Sequence, residues 1–197
     1  MSYPRVTAIL ADIFDPFSTI RPEIMEEAQD RGTYVHKITE LYDRDNLLDY
    51  DKKYEKHFSG WEKFINEVNP KMIEIEKSIV SEKYKYRGTL DRVAELKEIL
   101  VYDIRAKKPV KISGMSILDI KTGCEMPYVD LQTAAYKIAY EEQEKQKIKN
   151  RLTVYLKKDG TCKLILLSNS YDERVFLNTL NIYNFKRNHN LIKEFEK

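Results

Sequence analysis

The order of elements in this 197-residue sequence predicts an α/β protein built on one mixed sheet of about five strands, with helices on both faces and a helical segment in front. Three observations predict it. Apolar residues recur at helical spacing through the first third of the chain. The period changes to two after Asn69-Pro70. A helix rich in small apolar residues then separates a third strand from the last two. Elements that alternate in this way pack as layers around a single sheet.

In the first third, Pro22-Glu23 suits a first helical turn, with Ile24, Met25 and Ala28 as an apolar face, and Gly32 is expected to interrupt before Thr33 to Leu41. A second amphipathic stretch, about Tyr54 to Val68, sets Phe58, Trp61, Phe64, Ile65 and Val68 at core-facing positions. Ile73, Ile75 and Ile79 then alternate with Glu74 and Glu76, as on the two faces of a strand. A turn at Ser81-Glu82-Lys83 leads into a second strand from about Tyr84 to Leu96, a hairpin that brings Glu76 near the strand carrying Asp91. Pro109 and Gly114 punctuate the next connection, and Met115 to Thr122 reads as the third strand. Tyr128 to Lys147 is a helix with Leu131, Ala134, Ala135, Ile138 and Ala139 as its buried stripe. Arg151 to Leu156 and Cys162 to Leu167 make two more strands about Lys158-Asp159-Gly160, and Tyr171 to Phe195 is largely helical.

This length fits one domain, residues 1–197, divided into a mainly helical part (1–70), the sheet with its helix (71–167) and a C-terminal helix (168–197). A hydrophobic share of 42% with six Gly and six Pro argues for an ordered core. Charged residues make up 34% of the chain yet leave a net charge of only +2, so composition alone does not imply a nucleic-acid partner. Asp12 and Asp15 spoil the apolar stretch Met1 to Phe17 as a secretory signal, and no run is long enough for a membrane span. A cytoplasmic protein without a membrane partner is expected. Cys124 and Cys162 lie far apart with no Cys-x-x-Cys pair, which excludes an iron–sulfur cluster or structural zinc held by this chain alone.

Leu118-Asp119-Ile120-Lys121-Thr122-Gly123 is the most informative segment. In an extended strand the Asp119 and Lys121 side chains leave the same face. Asp91, on the neighbouring strand, adds a second carboxylate, and two such groups meeting at strand ends repel unless a cation lies between them. Hard, oxygen-seeking Mg²⁺ or Mn²⁺ resolves that repulsion, and an imidazole from His36 would tilt the preference to Mn²⁺. Gln132 and Tyr136, four apart on the predicted helix, project from one face. Taken singly, His36 reads first as a histidine satisfied by a backbone carbonyl, Glu76 and Lys121 as solvated strand residues, and Tyr136 as a tyrosine edging the core.

In register, however, Gly32-Thr33-Tyr34-Val35-His36, Gly88-Thr89-Leu90-Asp91, Leu118 to Gly123 and Leu131-Gln132-Thr133-Ala134-Ala135-Tyr136 resemble the RecB-like branch of the PD-(D/E)XK nuclease superfamily, over about half of the chain. Leu90 replaces the proline that names the superfamily. The resemblance implies a restriction-endonuclease-like core and a metal-dependent nuclease. It implies that His36, Asp91, Asp119 and the Ile120 carbonyl hold Mg²⁺ or Mn²⁺, that Lys121 positions or activates water, and that Gln132 and Tyr136 contact substrate and support the site. Glu76 falls where relatives often carry an acidic residue, which makes it a candidate for a supporting or second-metal role.

The resemblance further implies an exonuclease on single-stranded or frayed DNA ends, with recombination, repair or phage replication as the setting and proteins of those processes as partners. A structure-specific endonuclease and a non-catalytic DNA-binding or assembly module are the alternatives. No P-loop or helicase motif occurs, as expected of a free-standing nuclease domain. The basic groups Arg105-Lys107-Lys108-Lys111, Lys145-Lys147-Lys149-Arg151 and Lys186-Arg187 are candidates to track a phosphate backbone, and Tyr84, Tyr86 and Tyr128 to stack bases.

Overall fold

The computed structural model describes residues 3–14, 20–103, 105–126 and 128–192. The chain forms α1 (Val6–Phe14), α2 (Pro22–Asp43), a short 3₁₀ turn (Lys52–Tyr54), α3 (Glu55–Val68), β1 (Lys71–Ser81), β2 (Tyr86–Asp103), β3 (Lys108–Lys121), α4 (Val129–Glu144), β4 (Asn150–Leu156), β5 (Cys162–Leu166) and α5 (Asp172–Asn188). The five strands make one sheet in the order β1-β2-β3-β4-β5. All neighbours are antiparallel except β3 and β4. The parallel pair requires a crossover, and α4 supplies it.

Each face of the sheet has its own apolar core. On one face Ile79, Leu90, Val93 and Ile117 pack against Val6 and Ile9 of α1, Ala135 and Ala139 of α4, and Phe176 and Leu180 of α5. On the other, Ala94, Leu118, Ile120, Leu152 and Val154 pack against Val35 and Ile38 of α2 and Phe58, Trp61 and Phe64 of α3. The stripe expected on α4 is buried at Leu131, Ala134, Ala135 and Ala139. Asp12, an apparent misfit in the apolar α1, has a side chain only 2% exposed and accepts a 2.5 Å ion pair from Lys186 of α5.

Several expectations from sequence are corrected. Gly32 does not interrupt the helix: α2 runs through it from Pro22 to Asp43, since a single glycine costs only about 1 kcal/mol in a helix interior. Ile24 is exposed, so the apolar stripe of α2 begins at Val35 and Ile38. Strict alternation in β1 fails, because the register shifts between Met72 and Glu74 and Glu76 adopts φ of +50°; Ile73 is therefore exposed while Ile79 is fully buried.

The turn between β1 and β2 is the four residues after Ser81, ending at Lys85 with φ of +60°. Pro109 and Gly114 do not lie in a connection. β2 continues to Asp103 and β3 starts at Lys108, paired as far as Asp103↔Lys108. Pro109 is tolerated there because β4 pairs only from Ser116 onward, which leaves that edge without a partner needing its N–H. Helix α4 stops at Glu144, and the C-terminal helix ends at Asn188; its expected continuation over 193–195 lies outside the described residues.

Candidate active site

The pairing of β2 with β3 begins at Arg92↔Leu118, so Asp91 and Asp119 flank the point where the two strands part. The gap is held open by chemistry. Oδ2 of Asp91 accepts the Ile120 backbone N–H at 2.6 Å, a side chain taking a donor at the end of the ladder. On the other side of β2, Ile75↔Arg92 and Lys77↔Leu90 bracket Glu76 and Asp91, which places these two opposite each other. The left-handed backbone of Glu76 is uncommon for a residue with a side chain and costs about 1–3 kcal/mol, a strain that clusters at functional sites.

Helix α2 brings His36 over this gap. Its Nε2 lies 3.0 Å from the Ile120 carbonyl, so that nitrogen donates and Nδ1 faces the carboxylates, 3.7 Å from Glu76 Oε1 and 3.6 Å from Asp91 Oδ1. A lone pair against two anionic oxygens is repulsive. A proton on Nδ1 or a cation among the three resolves it. Burial pushes the His36 pKa down, but Asp91 and Glu76 together outweigh it and the net direction is upward.

Asp119 is 1% exposed. Its Oδ1 accepts 2.9 Å and 3.4 Å hydrogen bonds from Lys121 Nζ and Gln132 Nε2. Its Oδ2 lies 2.8 Å from the same ammonium yet has no aligned donor among the described residues. Burial, reinforced by Asp91, pushes the Asp119 carboxyl up to about 6, against the pull of Lys121 and His36. For Lys121 burial acts downward, but Asp119 and Asp91 outweigh it and raise its pKa. The lysine is therefore a firmly held ammonium.

Gln132 and Tyr136 meet as their spacing implies, with Gln132 Nε2 donating to Tyr136 Oη at 3.0 Å. Gly88 makes room for the tyrosine: a Cβ there would stand 2.7 Å from the Tyr136 ring. Both side chains are buried.

Sequence reasoning missed the layer beneath. Arg92 is fully buried and donates to Asp43 Oδ2 at 2.6 Å, Glu76 Oε1 at 2.9 Å, the Asp91 carbonyl at 2.7 Å and Thr39 Oγ1 at 3.2 Å. Trp61 Nε1 donates to the other oxygen of Asp43 at 2.9 Å. This network fixes the Glu76 carboxylate. The signal in the sequence was an arginine inside the run Leu90 to Ala94, with nothing to indicate that Asp43, at the end of a helix, would be its partner.

His36, Glu76 and Asp91 each offer one ligand atom, all within 4.8 Å of one another, and this group could hold a metal ion. Around an octahedral Mg²⁺ with bonds of about 2.1 Å, adjacent ligands stand about 3 Å apart and opposite ones about 4.2 Å, so the 3.7 and 3.6 Å separations from His36 Nδ1 need only a small contraction to close on an ion. The Oδ2 of Asp119 instead faces the Lys121 ammonium at 2.8 Å. Glu76 thus belongs to the cluster, whereas Asp119 lies outside it, beside Lys121.

Several of the other candidates are engaged in the core or in ion pairs. Tyr86 is fully buried, donates to the Ala135 carbonyl at 2.7 Å and packs edge-on against Phe176; it is a core residue and cannot stack bases. Tyr84 and Tyr128 also pack against that core. Arg151 is buried on Asp172 at 2.6 Å, Lys147 pairs with Glu141, and Lys111 with Glu98.

No family model and no curated protein matches this chain. Among solved structures it is similar to the crystal structure of "Putative exonuclease" from Eubacterium rectale, with a TM-score of 0.55 and 7% identity, over 98% of this chain and 83% of that one. At that identity the likeness establishes the fold, a mixed five-stranded sheet flanked by helices. No helix among the described residues is long and apolar enough to cross a membrane.

Proposed function

We propose that this chain is a metal-dependent nuclease of the RecB-like PD-(D/E)XK type that hydrolyses DNA phosphodiesters, acting as an exonuclease on single-stranded or frayed ends. The observation that carries this reading is the meeting of His36, Glu76, Asp91, Asp119 and Lys121 where β2 and β3 part, residues separated by as many as 85 positions in sequence. Its fold likeness to a chain described as an exonuclease supports it further.

His36, Glu76 and Asp91 are the residues to hold Mg²⁺ or Mn²⁺, with Asp119 and the Ile120 carbonyl beside them. When bound, such an ion supplies Lewis-acid polarisation of a phosphate oxygen and makes water more acidic. Lys121, kept cationic, orients the attacking water and stabilises the charge that builds on the phosphate oxygens. It is an electrostatic group and not the base, because an ammonium has no lone pair to accept a proton. Gln132 holds Asp119 in place, and Tyr136 holds Gln132. Arg92 holds the Glu76 carboxylate in place beside His36.

Incubation of the purified protein with end-labelled linear and circular DNA tests the proposal, with Mg²⁺, Mn²⁺ or EDTA present. Loss of linear strands with metal and none with EDTA is expected, and nicking of circles would favour the endonuclease instead. Inert DNA under every metal condition overturns the enzyme.

A further inference from the structure

A separate cleft of about 230 Å³ opens where α2, α3 and the β4–β5 turn meet. Arg31, Lys53, Lys56 and Lys158 line it against a single carboxylate, Glu27. The neighbouring Lys52 and Glu55 pair with each other at 4.0 Å, and none of the four lining cations forms an ion pair among the described residues. Like charges concentrated without counter-charges are costly unless an anion joins them.

An independent observation points the same way. His57 also lines this cleft, is 94% buried (6% exposed), and neither ring nitrogen has a hydrogen-bond partner among the described residues. Buried polar atoms are rarely left so, and each such orphan calls for an explanation. Burial, then Arg31 and Lys158, pushes its pKa down, so the ring stands neutral among cations, with one N–H to give. The cleft is below the roughly 300 Å³ at which drug-sized pockets start, and it has room for a phosphate group.

Its position relates it to the candidate active site. Arg31 Nε donates to Thr122 Oγ1 at 3.4 Å, and Thr122 follows Lys121 in the chain. Arg31 and His36 share α2, five residues or about 7.5 Å apart along its axis. The two sites are therefore close enough for a single strand to reach both.

We propose that this cleft seats a backbone phosphodiester of the same DNA strand whose scissile bond lies at Lys121, with Arg31, Lys53, Lys56 and Lys158 as charge partners and His57 as a neutral donor. It deepens the nuclease reading and rests on it. The cleft fixes the strand's path from α3 across α2 to the parting of β2 and β3, and so sets which phosphodiester is presented for cleavage.

Fluorescence anisotropy with a labelled oligothymidylate that carries a 5′-hydroxyl end, in EDTA and across a salt series, tests it on wild type and on the double variant Arg31→Gln/Lys56→Gln. The expected result is binding about tenfold weaker, with the log–log salt slope shallower by about 0.7, the change for one neutralised phosphate of a single strand. Mn²⁺ affinity should be unchanged, which shows that the fold and the neighbouring cluster persist. In wild type the His57 ring resonances should shift on adding the oligonucleotide, and its pKa should rise. DNA binding and salt slope equal in wild type and variant overturn the cleft and leave the nuclease reading standing; absence of DNA binding by wild type overturns both. If the variant fails to fold, the wild-type His57 resonances decide, and no shift overturns the proposal.

Discussion

Two buried arginines lie on opposite faces of the sheet and do different work. Arg151 of β4 faces α4 and α5, and its donors end on the Asp130, Leu167 and Asn169 carbonyls and on the Asp172 carboxylate, which is itself buried. The one charged partner in that network, Asp172, is sealed in the core. Arg92 of β2 faces α2 and α3 and is equally enclosed, but one of its partners, Glu76, turns its carboxylate toward His36. The first network closes the fold on itself. The second spends a buried charge on holding a reactive group at the surface of the core. Burial of a charge therefore does not separate scaffold from site; the exposure of its partners does. Side chains of Glu76 and His36 are 24% and 28% exposed, whereas those of Asp172 and Asp43 are 4% and 2%.

The comparison can be broken by substitution. The largest effect is expected beside the Arg92 network, where Lys121→Ala should lower cleavage by about 10²–10³-fold, the loss usual for one preorganised charge-stabilising group. Calorimetric titration with Mn²⁺ should show its metal affinity nearly intact, whereas Asp119→Asn should weaken metal binding and cleavage together. Wild-type cleavage by Lys121→Ala would refute its role.

Next in size is Arg151→Met, which strands the Asp172 carboxylate and should cost about 3–5 kcal/mol. For a chain of this length that lowers Tm by about 10 °C, with Mn²⁺ affinity and cleavage per folded molecule unchanged. Arg92→Met should destabilise similarly and, in addition, weaken Mn²⁺ binding by about 10–100-fold, as loss of a group that orients a metal ligand does. Equal metal affinities in the two variants would mean that Arg92, like Arg151, serves the fold alone.

A smaller, graded effect concerns pH. The Asp119 carboxyl is raised to about 6 from an ordinary 3.8, so the stability it contributes is complete below 3.8 and is lost as pH rises through about 6. Without metal, acidification across that window should favour the fold at this position. Metal binding competes with the proton, so Mn²⁺ affinity should fall below about pH 6 by up to about tenfold per unit. Asp119→Asn should flatten both trends, and calorimetry over a pH series reads them.

How much of this was legible from sequence depended on how local the signal was. Asp119-Ile120-Lys121 and Gln132/Tyr136 are set by the period of a strand and of a helix, and these side chains meet as those periods imply. The order of strands and the amphipathic α3 were readable for the same reason. Glu76 was placed near the strand of Asp91 by the hairpin, but no local pattern carries its left-handed backbone or its hydrogen bond from an Arg92 whose other side-chain partners, Thr39 and Asp43, lie on α2. The long β2–β3 hairpin was hidden because Pro109 and Gly114 normally end strands, and here an unpaired edge and a register shift between Leu96 and Ile99 accommodate them. Asp43 and Arg92 are each ordinary in sequence; only the packing of α2 on the sheet makes them partners.

On this reading one divalent ion is shared by side chains from α2, β1 and β2 at the parting of β2 and β3. Anomalous diffraction from a crystal soaked in Mn²⁺ reads this directly. A single peak bonded to His36, Glu76 and Asp91, absent in Asp91→Asn, is the predicted result. A peak elsewhere, or none at a Mn²⁺ concentration that supports cleavage, would contradict it.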